Sequence, residues 1–208
     1  MNKQQPQHIP IDSTNPRSIP RGLRADARRN RQAVLHAAQQ LFAREGLGVP
    51  LDEIARQAGV GPGTVHRHFP TKEALYLAVS IDQLETLVAE AAALADGDDP
   101  AAVFTLLARM MANGAENSAV KSALAAAEFD LRIVAPEVAT ALTGHVSDLL
   151  DRARTAALVR DDITVEEVMA LVAGAFTAIH HANAQTNPDH AAHIAGIILD
   201  GLRPAARR

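Results

Sequence analysis

The chain has no cysteine, no tryptophan, one tyrosine and five phenylalanines in 208 residues. Without thiols, neither disulfides nor thiolate-ligated metals are available to it. Few aromatics beside abundant alanine favour closely packed helices over sheet sandwiches. No apolar run approaches a membrane span, and the polar, proline-broken N-terminus does not read as a secretory leader. A soluble cytoplasmic protein with no membrane partner is the expectation. Catalytic signatures are missing as well: no G-x-S-x-G elbow, P-loop, dinucleotide fingerprint or H-E-x-x-H occurs. An enzyme is therefore not expected, and no cofactor is assigned.

What is present begins with length and charge. At 208 residues the chain makes one or two domains with ample core. A net charge of −4 argues weakly against a nucleic-acid partner, but its distribution argues the other way. Residues 1–73 hold eleven Lys/Arg against six Asp/Glu, and 74–208 hold nine against eighteen, so +5 in front and −9 behind give the −4 of the whole. A basic front and an acidic rear suit a protein that presents one end to a polyanion.

The organising stretch is Leu51 to Lys72, LDEIARQAGVGPGTVHRHFPTK. Leu51, Ile54, Ala55 and Ala58 repeat at helical spacing. Gly59 supplies the positive φ that ends a helix, Val60 returns an apolar contact, and Pro62 suits the first turn of a second helix. Val65 and Phe69, four apart, mark the inner face of that helix. This is the grammar of a helix-turn-helix, whose second helix enters the DNA major groove. With Val65 inward, Gly63 and Arg67 point directly away, Thr64 and His66 lie on the flanks, and His68 sits nearer the core. Arg67 fits a guanine edge or a phosphate, although alone it would also read as a solvated surface arginine. Gly61 and Gly63 leave the leading end bare, so backbone there can approach DNA closely.

From about Arg28 to Val79 the chain resembles the DNA-binding domain of the TetR family of bacterial transcriptional regulators. The matching pieces are Ala37-Ala38-x-x-Leu41-Phe42, Gly46, Ile54-Ala55-x-x-Ala58-Gly59-Val60, Thr64-Val65-x-Arg67-His68-Phe69 and Lys72-Glu73-Ala74-Leu75. Three departures matter. His66 stands where the family usually has a phosphate-binding tyrosine. Pro50 and Leu51 replace the usual threonine or serine, which removes a hydroxyl contact. Asp52 and Glu53 suit a helix start but do not attract phosphate.

Residues 1–24, with Pro6, Pro10, Pro16 and Pro20, read as a disordered basic arm. Its arginines run into Arg28, Arg29 and Arg31, and it serves either as a solubilising tail or as a groove- or phosphate-seeking arm. A helix is expected from about Asp26, with Val34, Leu35, Ala38, Leu41 and Phe42 buried and Gly46 and Gly48 ending it. Thr71 reads as the N-cap of a long helix reaching about Leu94, and its free N–H groups with Lys72 form a candidate phosphate seat. That helix would be a lever from the DNA-reading unit to the rear. Further helices are expected from Asp99-Pro100 to about Gly114, from Ser118 to Phe129 or Arg132, and from Pro136 onward. Two more are expected after the Thr164-x-x-Glu167 capping box, to about Ala184, and from Asn187-Pro188.

The expected fold is therefore all-α. An N-terminal three-helix helix-turn-helix unit (25–80, reading motif 50–69) follows the arm (1–24), and a C-terminal bundle (81–208) serves effector binding and dimerisation. Candidate DNA contacts are Arg28, Arg31, Gly61, Gly63, Thr64, His66, Arg67, His68, Thr71 and Lys72. The resemblance implies a homodimer through the last two helices, where Val168, Leu171, Val172, Ala175, Phe176 and Ile179 give wide apolar surface and Ala170, Gly174 and Ala178 a row of small residues. It also implies a small-molecule effector, with candidate lining residues Phe104, Met110, Met111, Phe129, Arg132, His145, Phe176 and His180. Ordinary core packing is the commoner role for the apolar ones. Arg132 suits an anionic effector, but Asp130 or Glu128 would satisfy it equally. His180, His181, His190 and His193 gather between the last two helices without clear carboxylate geometry, and no metal is assigned. The expected function is a repressor released from a palindromic operator by an effector, against the alternatives of a constitutive regulator without one or an enzyme of unknown chemistry.

Overall fold

The computed structural model describes residues 21–116, 131–182 and 187–205. Among them are nine helices and no strand: α1 (Arg21–Glu45), α2 (Leu51–Ala58), α3 (Pro62–His68), α4 (Lys72–Asp96), α5 (Ala102–Glu116), α6 (Leu131–Val134), α7 (Pro136–Thr155), α8 (Val165–His181) and α9 (Pro188–Gly201). The fold is all-α, as the composition and periodicity imply.

Local chemistry sets the helix ends. Gly59 takes φ 67° and ψ 27°. Its N–H donates to the Arg56 carbonyl at 3.2 Å, and the Val60 N–H to the Ala55 carbonyl at 3.0 Å. This paired closure satisfies carbonyls that α2 would otherwise leave open. Gly46, at φ +78°, closes α1. Thr71 Oγ1 accepts from the Ala74 N–H at 3.1 Å, and Asn187 Oδ1 accepts from the His190 N–H at 3.2 Å. Thr164 and Glu167 exchange bonds of 3.2 and 2.8 Å in the expected reciprocal box. Pro50 caps α2 without a side-chain bond, as its lack of a hydroxyl dictates.

Two boundaries differ from the sequence reading. α1 begins at Arg21 rather than near Asp26, so residues 21–24 belong to the helix and not to the arm. Asp26 read as a start signal, but its carboxylate pairs with Arg29 one turn on, and the arginine, leucine and alanine before it are good helix formers. α5 begins at Ala102 because Asp99 and Pro100 form a turn first, in which Asp99 Oδ1 accepts from the Ala101 N–H at 2.8 Å. The arm residues 1–20 and the segment 117–130 lie outside the described residues, as does Ala184.

Two hydrophobic cores organise the chain. The front core joins α1, α2 and α3 through Val34, Leu35, Leu41, Ile54, Val65 and Phe69. The rear core joins α5, α7, α8 and α9 through residues such as Leu106, Met111, Leu149, Leu150, Val168 and Leu202. α4 belongs to both: Leu75, Tyr76, Ala78 and Val79 lie in the front, Leu87 and Ala91 in the rear. Its main partner is α7. From α7, Arg152 reaches the last turn of α4, donating to the Ala95 carbonyl at 2.6 Å, the Leu94 carbonyl at 3.4 Å and the Gly97 carbonyl. A cation supplying donors to orphan carbonyls at a helix C-terminus is favourable on both electrostatic and hydrogen-bonding grounds.

Two stability changes follow. Arg152→Ala removes charge-assisted bonds to these carbonyls and is expected to cost about 2 kcal/mol, read as a lower urea midpoint. Ala157 holds φ 55° in the turn after α7, a conformation that disfavours any residue with a Cβ. Ala157→Gly is expected to raise stability by about 0.5–1 kcal/mol; an unchanged or lower midpoint would show that the turn carries no strain.

Candidate nucleic-acid interface

The geometry of α3 follows from its two buried anchors. Val65 is fully buried and Phe69 nearly so, which turns the opposite face outward. Gly61, Gly63, His66 and Arg67 are exposed, while Thr64 and His68 are half-buried. Arg67 lies back along its own helix, with Nε donating to the Gly63 carbonyl at 2.9 Å. A Cβ added at Gly61 or Gly63 would meet nothing within 4 Å, so no neighbour within the chain requires these glycines. Their bareness leaves backbone open to an outside partner.

The flanking charges are arranged around this face. His66 Nε2 stands 3.7 Å from Asp52 Oδ1 across the turn. Glu53 is held by Arg56, whose Nε donates to it at 2.9 Å, and this guanidinium keeps the carboxyl below its ordinary range. One acid at the start of α2 is thus already matched by a cation. Arg31 lies over the Phe69 ring at 5.6 Å, which fixes it at the base of α3, and Arg28 is exposed one turn earlier on α1. α1 and α3 therefore display Arg28, Arg31, His66 and Arg67 around one end of the front core.

Thr71 and Lys72 each have partners within the chain. The Thr71 hydroxyl is engaged as the cap of α4. Lys72 is half-buried, and its Nζ donates to the Gly48 carbonyl at 3.3 Å and the Leu47 carbonyl at 3.5 Å. Tyr76 Oη donates to the same Leu47 carbonyl at 2.9 Å and packs edge-on against Phe42, with centroids 5.1 Å apart. Together they pin the α1–α2 turn to α4. The sequence reading missed Tyr76; its signal was a lone aromatic hydroxyl at an inward register of an apolar helix face, which needs a buried acceptor.

A cavity of about 160 Å³ lies in the rear bundle. Of the candidate lining residues, Met110 and Phe176 border it. Met111 is buried in the core instead, and Phe104 packs beneath Arg203 at 4.4 Å. His145 is half-buried away from the cavity wall. Phe129 and the side chains of Arg132 and His180 lie outside the described residues. The wall that sequence reading missed is α4, through Ser80, Gln83, Leu84 and Leu87. Polar residues on the apolar stripe of a helix, at i and i+3, were the available sign. Among the described residues, no three His, Asp or Glu gather closely enough to hold a metal.

α8 and α9 leave apolar surface uncovered. Val168, Val172, Ala175 and Ile179 are buried within the chain, but Leu171 is 43% and Ile197 60% exposed, and Ala170, Gly174 and Ala178 are exposed beside Leu171. Among the described residues, no helix is long and apolar enough to cross a membrane.

Residues 34–79 match the family model described as bacterial regulatory proteins, tetR family, and residues 99–204 match that of the SbtR-like transcriptional regulator C-terminal domain. A TetR transcription regulatory protein from Mycobacterium vanbaalenii is 39% identical, with a TM-score of 0.67 over 88% of this chain and 99% of that one. A TetR transcriptional regulator from Streptomyces coelicolor is 30% identical, with a TM-score of 0.64 over 85% and 99%. An HTH-type transcriptional regulator of Staphylococcus aureus is 41% identical over 54 residues, 26% of this chain and 29% of that protein. The chain thus spans less than a third of that relative.

Tyr76 offers a direct optical check, since it is the single tyrosine and no tryptophan is present. Burial, then the neighbouring Glu73 charge, pushes its phenol above the ordinary value. The folded state holds this proton more tightly than the unfolded chain, so the associated stability is intact below about pH 10. It is lost as pH climbs past that value toward the raised one. Phenolate absorbance is expected to titrate above free tyrosine, and Tyr76→Phe to cost about 1 kcal/mol at neutral pH. A midpoint at the free value would mean that the Tyr76 phenol is not buried in solution.

Proposed function

The chain belongs to the TetR family of transcriptional regulators, and we propose that it acts as a homodimeric repressor released from a palindromic operator by a small-molecule effector. It is a DNA-binding regulator and not an enzyme. The observation that carries the DNA-reading assignment is the display of Arg67 and bare Gly63 on the face of α3 opposite buried Val65, with Thr64 on its flank and bare Gly61 at its leading end. On reaching DNA, Arg67 exchanges its bond to the Gly63 carbonyl for a base edge or phosphate, and its planar fork suits either. Thr64 reads beside it. His66, which occupies the position of the family's tyrosine, donates to phosphate, as do Arg28 and Arg31. His68, Thr71 and Lys72 act at the border of the contact, the last two chiefly by holding α4 and the α1–α2 turn in place.

Homodimerisation is supported by the exposed apolar and small residues of α8 and α9. Leu171, Gly174 and Ile197 sit on surface that a monomer would leave to water, and a symmetric pair would cover it. Two copies present two reading helices to half-sites about 34 Å apart, one helical turn of DNA. An effector in the rear cavity touches α4 directly. Its binding alters the separation of the two reading heads and lowers affinity, because both half-sites are no longer engaged together. Cytoplasmic residence follows from that role.

Arg67→Ala is expected to lose about ten- to a hundredfold in affinity at each half-site, so that operator binding disappears from a gel shift on fragments selected from the source genome. Its elution on size exclusion stays that of the dimer. Unchanged gel-shift affinity would refute the placement of Arg67 at the groove.

A further inference from the structure

The cavity of about 160 Å³ is close in size to an apolar void of about 150 Å³ that holds one benzene ring. Ser80, Gln83, Leu84 and Leu87 form its α4 wall at i, i+3, i+4 and i+7, one face of a helix. Opposite stand Met110 of α5 and Phe176 of α8. No Asp, Glu, Lys, Arg or His occurs among the described residues that line it. An ionised guest would leave water and find no opposite charge on this wall, which makes its burial unfavourable. Three polar residues line it, Ser80 and Gln83 on α4 and Asn113 on α5. Ser80 is the only buried polar residue of the described core, and Asn113 is already engaged with a partner. Gln83 Nε2 is different: it is buried and donates to nothing. A buried amide donor without an acceptor is uncommon and costly in a folded protein.

We propose that this cavity takes an uncharged effector about one ring in size, hydrocarbon over most of its surface, carrying an oxygen that accepts a hydrogen bond from Gln83 Nε2. The proposal rests on the regulatory reading above and names the class of compound that operates it. The position of Gln83 connects occupancy to the reading head. It lies between the part of α4 in the front core, ending at Val79, and the part in the rear core, beginning at Leu87. Asp82, its neighbour, accepts from Gln32 Nε2 of α1 at 2.8 Å, so this turn of α4 is also tied to the front unit. A guest that draws Gln83 inward acts on the helix where its two packed ends meet.

The test uses the full chain and three matched probes, with binding read by calorimetry without DNA. Acetophenone carries a neutral acceptor, ethylbenzene lacks one, and benzoate is charged. Acetophenone is expected to bind saturably, ethylbenzene about tenfold more weakly, and benzoate not measurably. Gln83→Leu, similar in volume, is expected to bring acetophenone to the level of ethylbenzene. Acetophenone failing to bind, ethylbenzene equalling it, or benzoate matching it would each overturn the proposal on the unmodified protein, whether or not the variant folds. A gel shift with the same compounds separates the two readings. A chain that holds its operator but ignores acetophenone refutes the effector class alone. A chain that ranks the probes as expected but binds no selected fragment refutes the regulatory reading and leaves the cavity's preference standing.

Discussion

Bending a straight helix breaks or lengthens its backbone hydrogen bonds, so a helix packed at both ends moves as a unit. α4 is such a helix. At about 1.5 Å per residue its 25 residues span about 37 Å. One end is capped by Thr71 and buried with Leu75, Tyr76 and Val79 in the front core; the other lies in the rear core with its last carbonyls bound by Arg152. The two cores therefore communicate through packed, hydrogen-bonded structure and not through a loose linker. α3 lies just before one end of this helix, and the cavity lies against its middle.

At the front, the structure divides the basic residues by job. Arg67 and His66 are displayed outward, while Lys72 spends its charge on the Leu47 and Gly48 carbonyls beside the Tyr76 hydroxyl. Binding two carbonyls of the α1–α2 turn fixes where α2 starts, and hence where α3 points. The orientation of α3 is thus supported from behind by Lys72 and Tyr76. At the rear, the same helix offers the cavity two polar side chains, and α8 and α9 leave Leu171 and Ile197 facing water. Cavity and uncovered face lie on opposite sides of the buried stripe of α8.

Much of this was legible in the chain because its causes are local. The helix-turn-helix follows from Gly59, Pro62 and the spacing of Val65 and Phe69, and the helix starts from hydroxyl, amide and carboxylate caps that act within three residues. These devices hold wherever the chain is placed, which is why composition and periodicity sufficed for an all-α fold. The start of α1 escaped because Asp26 read as a start signal, whereas its carboxylate pairs with Arg29 and the helix formers before it carry the helix back to Arg21.

What the sequence by itself determined was the order and type of the helices, the direction in which α3 turns its polar face, and the family to which the front third is similar. Tertiary structure alone decided that Lys72 and Tyr76 meet the Leu47 carbonyl and that Arg152 closes α4 from 55 residues beyond Gly97. It alone decided that Ser80 and Gln83, rather than Phe104 or Met111, border the cavity. Each of these depends on which helix lies against which, and periodicity tells only that a face is buried, never what buries it.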